Sequence, residues 1–457
     1  MSARIISAAA PLALISSGLA AGPAPPPFKP DRTAEDYSYL RDPRKRGDWS
    51  DAYKYVPLNG SGSVYLSLGG ELRERFESFD EPRFGFSGAP DDSYLLERGL
   101  VHADLHAGDH VRVFAQLGDH RAFGKKKALL GAPDEDRLDV QQLFVDLSPV
   151  KQATLRFGRQ EMMFSPLQRF VSFRDGTNVR QNFDGGRFSF TQGALKVDAF
   201  LVRPVLLQRS SFDDHRNRDQ SFGGIYASHK LGKAGALSLD GYFFELRRQK
   251  LPGGVEEKRH NVGLRFAGSA SGFDWDNEAI YQFGPQGPRR IRAWAASSDL
   301  GYTLAKTGWK PRIGLRFDAG SGDRDPADGR AGAFYPLFPS GPYFNEANVT
   351  SWTNLVAVRP NLRLQPTSKL TLIGGLQFKW RESRRDAVYL GPSTPLPATL
   401  ANRAREIGQV WTLDANYQLN RNLALRAYYL HHSAGDAIRE AGGRPIDFVM
   451  GSMTLKL

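Results

Sequence analysis

The chain contains no cysteine. Disulfides and thiolate metal sites are therefore excluded, and the absence is compatible with export through an oxidising compartment. No run of about eighteen consecutive apolar residues occurs after the leader region, so no helical membrane anchor is expected. The formal net charge is +12, yet no basic patch with interleaved aromatics and no binding motif accompanies it, which argues against nucleic acid as a partner. Asp323, Asp325 and Asp328 lie around Gly322 and Gly329, but without the spacing and terminal bidentate Glu of an EF-hand they read as turn formers, and no metal is assigned. His431, His432 and Ser433 are adjacent in sequence. Neighbouring strand residues point to opposite faces, so they make a poor Ser-His pair. No catalytic residue, no cofactor and no enzyme activity are expected.

What the chain does have is period two. Val449, Gly451, Met453, Leu455 and Leu457 fill one phase with small or apolar side chains, while Met450, Ser452, Thr454 and Lys456 fill the other. Eighteen such stretches are expected, near 64–78, 94–106, 110–117, 139–147, 154–161, 186–191, 194–203, 222–229, 236–246, 259–267, 273–283, 291–303, 312–319, 352–364, 370–382, 406–418, 422–431 and 447–457. Alternation over such lengths sets one face in an apolar medium and the other in a polar one. Short connections with turn residues, such as Ala107-Gly108-Asp109, Gln192-Gly193 and Leu419-Asn420-Arg421, alternate with long polar ones at 118–138, 162–185, 204–221, 320–351, 383–405 and 432–446. That asymmetry belongs to a closed antiparallel transmembrane β-barrel of about 18 strands, all-β, with short periplasmic turns and long external loops. The expected address is the outer membrane of a Gram-negative bacterium, with outer-membrane lipid as a partner. Residues 1–20 read as a signal peptide, with Arg4 before an apolar stretch and Gly18-Leu19-Ala20 at its end. Residues 21–60 read as a periplasmic segment, including Arg41, Arg44, Lys45 and Arg46 as a lid, and 61–457 as the barrel domain.

Charge is frequent in the polar phase. Glu71, Arg73, Arg75 and Glu77 oppose Val64, Leu66, Leu68 and Leu72; Arg312, Arg316 and Asp318 oppose Ile313, Leu315 and Phe317; Gln377, Lys379 and Arg381 oppose Leu376, Phe378 and Trp380. Arg265, Glu278 and Arg426 follow the same rule. In so wide a barrel these charges are expected to face water, without need of pairing. The reading expects a bulge near Gly158, where Leu155 and Phe157 share a phase with Arg159 and Glu161, and leaves the face of Arg292, Trp294 and Tyr302 open.

These residues carry a resemblance. Gly69-Gly70-Glu71-Leu72-Arg73, Gly158-Arg159-Gln160-Glu161, Arg174-Asp175-Gly176-Thr177-Asn178-Val179-Arg180, Phe183-Asp184-Gly185-Gly186-Arg187, Asn277-Glu278-Ala279-Ile280-Tyr281 and Trp380-Arg381-Glu382-Ser383, in this order, resemble the alginate export porin family from about residue 60 onward. The resemblance implies an eighteen-stranded outer-membrane barrel, inserted by the outer-membrane assembly machinery, that passes its solute through an arginine-lined constriction. One departure is the final Leu457, where barrels of this kind usually end in Phe.

The function expected is passive, diffusive transport of an anionic solute, a carboxylated poly- or oligosaccharide (alginate-like). Alternatives are small organic acids, or a plugged barrel serving as a receptor. Guanidinium forks suit planar carboxylates and do not titrate. The expected pore-lining residues are Arg73, Arg75, Arg159, Arg169, Arg174, Arg180, Arg187, Arg265, Arg316, Lys379, Arg381 and Arg426, moderated by Glu71, Glu161, Asp175, Asp184, Glu278, Asp318 and Asp414. The segment from Arg159 to Arg187 is too long for a hairpin and too apolar to remain in solvent (Met162, Met163, Phe164, Leu167, Phe170, Val171, Phe173). It is expected to fold into the barrel and narrow it. Oligomeric state is left open.

Overall fold

A computed structural model describes residues 26–232, 236–251 and 253–457. The expected signal peptide, and most of the 232–235 turn, lie outside these residues. Eighteen long strands form one closed antiparallel barrel: β1 Val64–Asp80, β2 Asp92–Ala107, β3 Val111–Phe123, β4 Asp136–Val150, β5 Ala153–Gln160, β6 Phe183–Gln192, β7 Leu195–Leu206, β8 Gln220–Leu231, β9 Leu237–Leu251, β10 Val255–Ala270, β11 Phe273–Gln286, β12 Arg289–Thr303, β13 Arg312–Gly320, β14 Leu355–Leu364, β15 Leu370–Trp380, β16 Glu406–Gln418, β17 Leu423–His432 and β18 Ile446–Lys456. Closure runs through β1 and β18, paired from Glu71 with Lys456 to Asp80 with Asp447. With no free edge, every ladder group inside the lipid is satisfied. Several strands exceed the nine to eleven residues that a tilted crossing needs, and their surplus continues into the long-loop rim.

The alternation places side chains as expected. Leu264, Leu315, Trp411 and Leu455 are exposed on the outer wall, while Arg73, Arg265, Arg316 and Lys379 are buried on the inner face. Trp294 and Tyr302 are also exposed, with Ile291, Ala293 and Ala295 buried opposite them, so Arg292 belongs to the outer face. No bulge occurs near Gly158, because the β5–β6 register runs unbroken from Ala153 with Phe190 to Gln160 with Phe183. Gly158 instead has φ +135, and a Cβ there would lie 2.2 Å from the Leu143 carbonyl oxygen. That close approach replaces the expected bulge, and Arg159 keeps the outward phase of Phe157.

The barrel is not an open water-filled tube. The 161–182 and 321–354 connections turn inward and pack on the inner face of β7, β8 and β9, where Phe200, Val202, Phe222, Tyr226, Tyr242 and Phe244 are buried. Phe164 stacks on Tyr226 at 4.7 Å, Phe338 meets Phe222 at 5.1 Å, and Phe170 meets Trp352 at 5.1 Å. Backbone bonds join the two loops, from Ser172 N to Phe338 O (2.8 Å) and from Phe338 N to Phe170 O (3.0 Å). These strands are apolar on both faces because one faces lipid and the other faces a loop core. The expectation that interior charges need no partners fails for the same reason, since a lumen packed with loops removes water from most of them.

Candidate functional site: a loop-lined pore

The tip of the 161–182 loop is held by the arginines of the first two strands. Arg73 donates to the carbonyls of Asp175 and Thr177 (2.8 Å each), and Arg75 donates to Gly176 O (2.9 Å). Arg98 on β2 donates from Nε to Glu71 (3.0 Å) and from Nη2 to Asp175 Oδ1 (2.8 Å). Arg180 bridges Asp175 (2.7 Å), Glu71 (3.4 Å) and Glu161 (3.7 Å). Burial alone would raise the Asp175 carboxyl, but Arg180, Arg98 and Arg73 outweigh it and hold it well below the usual range. At Glu161 burial wins over Arg180, and its carboxyl is pushed up to about 7.

Two cavities meet at this tip. The inner one, ≈ 690 Å³, opens toward the short turns and is lined by seven basic side chains, Arg73, Arg75, Arg98, Lys369, Arg421, Arg426 and Lys456, against three acidic ones, Glu71, Asp175 and Glu346. The outer one, ≈ 420 Å³, is balanced, with Arg75, Arg83, Lys125 and Arg174 against Glu77, Asp92, Asp134 and Glu346. Both are lined by Arg75, Gly176, Ser340, Pro342 and Glu346, which mark the junction. Gly176 must be glycine here, since a Cβ would lie 2.2 Å from Pro342 Cγ. Glu346, reaching in from the 321–354 loop, receives Arg75 (3.2 Å) and Arg426 (2.7 Å), and Arg426 also chelates Asp414 with two bonds of 2.8 Å.

The other expected pore residues are engaged elsewhere. Arg169 is fully enclosed by Asp276 (2.7 Å), Glu278 (3.0 Å) and the Tyr343 hydroxyl (3.1 Å), where it anchors one loop to β11 and to the other loop. Arg187 pairs with Asp198 (2.8 Å), and Arg265 with Asp240 and Asp276 (2.6 Å each). Arg316 pairs with Asp318 (3.1 Å) under the Tyr343 ring. Lys379 contacts His432 Nε2 (2.8 Å) and donates to Thr350 (2.9 Å). Arg381 is buried among the carbonyls of the 381–405 connection, including Thr399 (3.0 Å) and Asp386 (3.2 Å), and lines neither cavity. Arg159 sits at the long-loop rim, paired with Asp184 (2.9 Å). Arg174 has no carboxylate partner among the described residues; it faces the outer cavity and lies over the Phe338 ring at 5.9 Å. Among the described residues, then, Arg73, Arg75, Arg174 and Arg426 line the cavities, and the other eight expected cations tie the wall and the loops.

Arg98 was missed because its inward phase reads Tyr94, Leu96, Leu100, an apolar run that looks lipid-facing until the inserted loops are in place. Glu346, Lys369 and Arg421 lie in loops or turns, where alternation carries no signal; Lys456 lies in the polar phase of the last strand but is not among the expected pore residues. His431 pairs outward with Asp447 (3.0 Å), while His432 Nδ1 bonds the Ser433 carbonyl, so no Ser-His pair forms. Asp325 and Asp328 accept from Ala327 N (3.2 Å) and Arg330 N (2.8 Å), as turn formers do.

The described part of the N-terminal segment lies across the short-turn mouth. Arg32 donates to Gly70 O (3.0 Å) and Leu457 O (2.6 Å), spanning the β1–β18 seam, and Arg112 donates to Thr33 O (2.9 Å). Phe28 is ringed by Arg32 (4.7 Å), Arg421 (4.6 Å) and Lys54 (5.5 Å). Lys54 donates to Leu68 O (2.9 Å), and burial, reinforced by Arg32, lowers its ammonium to about 7. These residues make the contacts to the barrel strands; of the expected Arg41 to Arg46 cluster, Arg41 bonds only Ser61 O ahead of β1 among the described residues, and the Arg44 side chain is exposed.

A family model described as alginate export matches residues 64–452. No curated protein matches the chain in sequence. Among solved structures, Pseudomonas aeruginosa OccD3 (OpdP) shares 10% identity over 86% of this chain and 91% of its own, with a TM-score of 0.58. Acinetobacter baumannii OccAB4 shares 9% over 86% and 98%, also with a TM-score of 0.58. Pseudomonas aeruginosa OccK2 (OpdF), solved in complex with glucuronate, shares 12% over 86% and 98%, with a TM-score of 0.55. At such identities the likeness is one of fold.

Proposed function

We propose, from the premise that this chain belongs to the alginate export family of outer-membrane porins, that its solute is a carboxylated oligo- or polysaccharide moving by diffusion past Arg75. The observation that carries this reading is the inner cavity, with seven basic side chains against three acidic ones, narrowing to a junction shared with a balanced outer cavity. A low-dielectric wall lined by surplus positive charge concentrates anions. At the junction, Arg75 and Arg426 already hold a carboxylate, Glu346, so the geometry that would take a passing uronate is one this protein uses for its own acid. Competition with Glu346 keeps each binding event weak, which permeation requires. Glucuronate in OccK2 is a carboxylated sugar in a barrel of the same fold. In this reading the short-turn mouth is periplasmic, residues 26–60 form its lid, and 61–457 are the barrel domain.

A plugged receptor is the second reading, favoured by the contact of the two inserted loops at Gly176 and Pro342. Reversal potentials in planar bilayers under a salt gradient, followed by addition of oligouronates, separate the two. Anion preference with block by oligouronates is the expected result. Cation preference would refute the electrostatic reading, absence of conductance would favour the receptor, and block by small organic acids alone would shrink the solute class.

A further inference from the structure

Away from the pore, four aspartates converge at the long-loop rim. Asp136 and Asp139 begin β4, and Asp213 and Asp214 lie in the 207–219 connection. One carboxylate oxygen from each lies within 4.8 Å of all the others. Acidic clusters are common on solvated surfaces, but in this one Asp136 and Asp139 are buried and Asp214 is half-buried. Asp136 is 2% exposed, and its Oδ1 is out of water without a hydrogen bond; Asp213 Oδ1 is in the same condition. Two carboxylate oxygens of the cluster are thus shielded from solvent without a donor among the described residues, which is costly unless a proton or a cation is held there.

The protein supplies little compensation. Arg159 reaches Asp139 at 3.6 Å but is engaged more closely with Asp184. His120, opposite Asp136 in the β3–β4 register, makes no hydrogen bond at either ring nitrogen. Backbone donors reach other oxygens and shape the cluster. Val140 N donates to Asp139 Oδ1 (2.6 Å), Asp214 N to Asp139 Oδ2 (3.1 Å), Ser210 N to Asp213 Oδ2 (3.3 Å) and Gln208 N to Asp214 Oδ1 (2.6 Å), while Phe212 N donates to Leu138 O (3.2 Å). Burial, with Asp139 adding to it against the Gln208 donor, raises the Asp214 carboxyl to about 6.

We propose that Asp136, Asp139, Asp213 and Asp214 bind one Ca²⁺ ion that ties the 207–219 loop to β4. The donor set is all oxygen, which suits a hard cation, and oxygens within 4.8 Å of one another can share a sphere of radius about 2.4 Å. Four carboxylates leave further positions for water, and their irregular origin in a strand and a loop favours Ca²⁺ over the rigid octahedron of Mg²⁺. This site is independent of the pore and of its solute.

The test uses the full chain, folded in detergent, stripped with EDTA and titrated with CaCl₂ by calorimetry, with trypsin cleavage at Arg209, Arg216 and Arg218 as a second readout. One saturable site is expected, with Kd of about 10⁻⁴ to 10⁻³ M, the range of extracellular modules. At 5 mM Ca²⁺ and a Kd of about 1 mM, cleavage through local opening should slow about sixfold, the factor 1 + [L]/Kd. Asp136→Asn with Asp214→Asn should lose both effects, whereas Asp325→Asn with Asp328→Asn should keep them. Asp213→Asn alone serves if the first pair does not fold. No saturable binding in the wild type, or binding unchanged in Asp136→Asn/Asp214→Asn or Asp213→Asn, would overturn the site.

Discussion

Arg174 and Arg180 belong to the same loop, yet their removal should have different consequences. Arg180 is enclosed and holds Asp175, Glu71 and Glu161. Its replacement by Ala leaves buried carboxylates without their cation, a loss of about 3–5 kcal/mol for a broken buried pair. Arg73, Arg75 and Arg98 still hold the tip, but the acids left behind repel one another there, so Arg180→Ala should loosen it and raise single-channel conductance. Arg174 faces the outer cavity with no carboxylate partner among the described residues and holds nothing of comparable worth. A unit charge about 5 Å from a permeating ion contributes about 0.8 kcal/mol in water, and about 0.5 kcal/mol after screening. Because anion and cation respond with opposite sign, Arg174→Ala should lower the anion-to-cation permeability ratio about fivefold with conductance nearly unchanged. Reversal potential and conductance are read from the same bilayer recordings, with Lys127→Ala as a control; Lys127 is exposed and lines neither cavity, and it should change the ratio much less. Equal shifts from all three variants, or an unaltered conductance in Arg180→Ala, would show that net charge alone matters and that the loop tip does not bound the pore.

Three further outcomes are expected. Glu346→Gln removes the acid shared by Arg75 and Arg426 and should raise the anion preference by about the factor that Arg174→Ala lowers it; a fall would place Glu346 outside the conduction path. Phe222 is fully buried between wall and loop, so Phe222→Ala should cost about 3–5 kcal/mol in denaturant unfolding, and a loss under about 0.5 kcal/mol would mean the loops do not pack on that wall. Lys54 titrates near 7 when docked, against 10.5 ordinarily. Docking of the N-terminal segment therefore releases a proton between these values, strengthens by at most about tenfold per pH unit from 7 to 10.5, and is flat below 7. Protease protection of residues 26–60 should follow that course in the wild type and be flat with pH in Lys54→Met; a wild-type profile that weakens as pH rises would reverse the argument.

The sequence by itself determined the strand count, the closed barrel, the lipid-facing residues and the inward turn of the 161–182 loop. Each is a local property, because period two sorts Leu264 from Arg265 without reference to any other strand, and seven apolar residues in one loop demand cover wherever it lies. The tertiary structure decided which charges line the two cavities. Alternation places Arg73, Arg265 and Arg316 on one inner wall, but burial under a loop depends on what arrives from far along the chain, here Tyr343 over Arg316 and the Asp175 tip over Arg73. Cross-strand pairing decided the rest: Arg98 is read as lining the inner cavity only once Glu71 lies beside it and Asp175 above it. A guanidinium facing a lumen and one clasping a loop carry the same local signature, and they differ only in whether water or a distant carbonyl fills the next 3 Å.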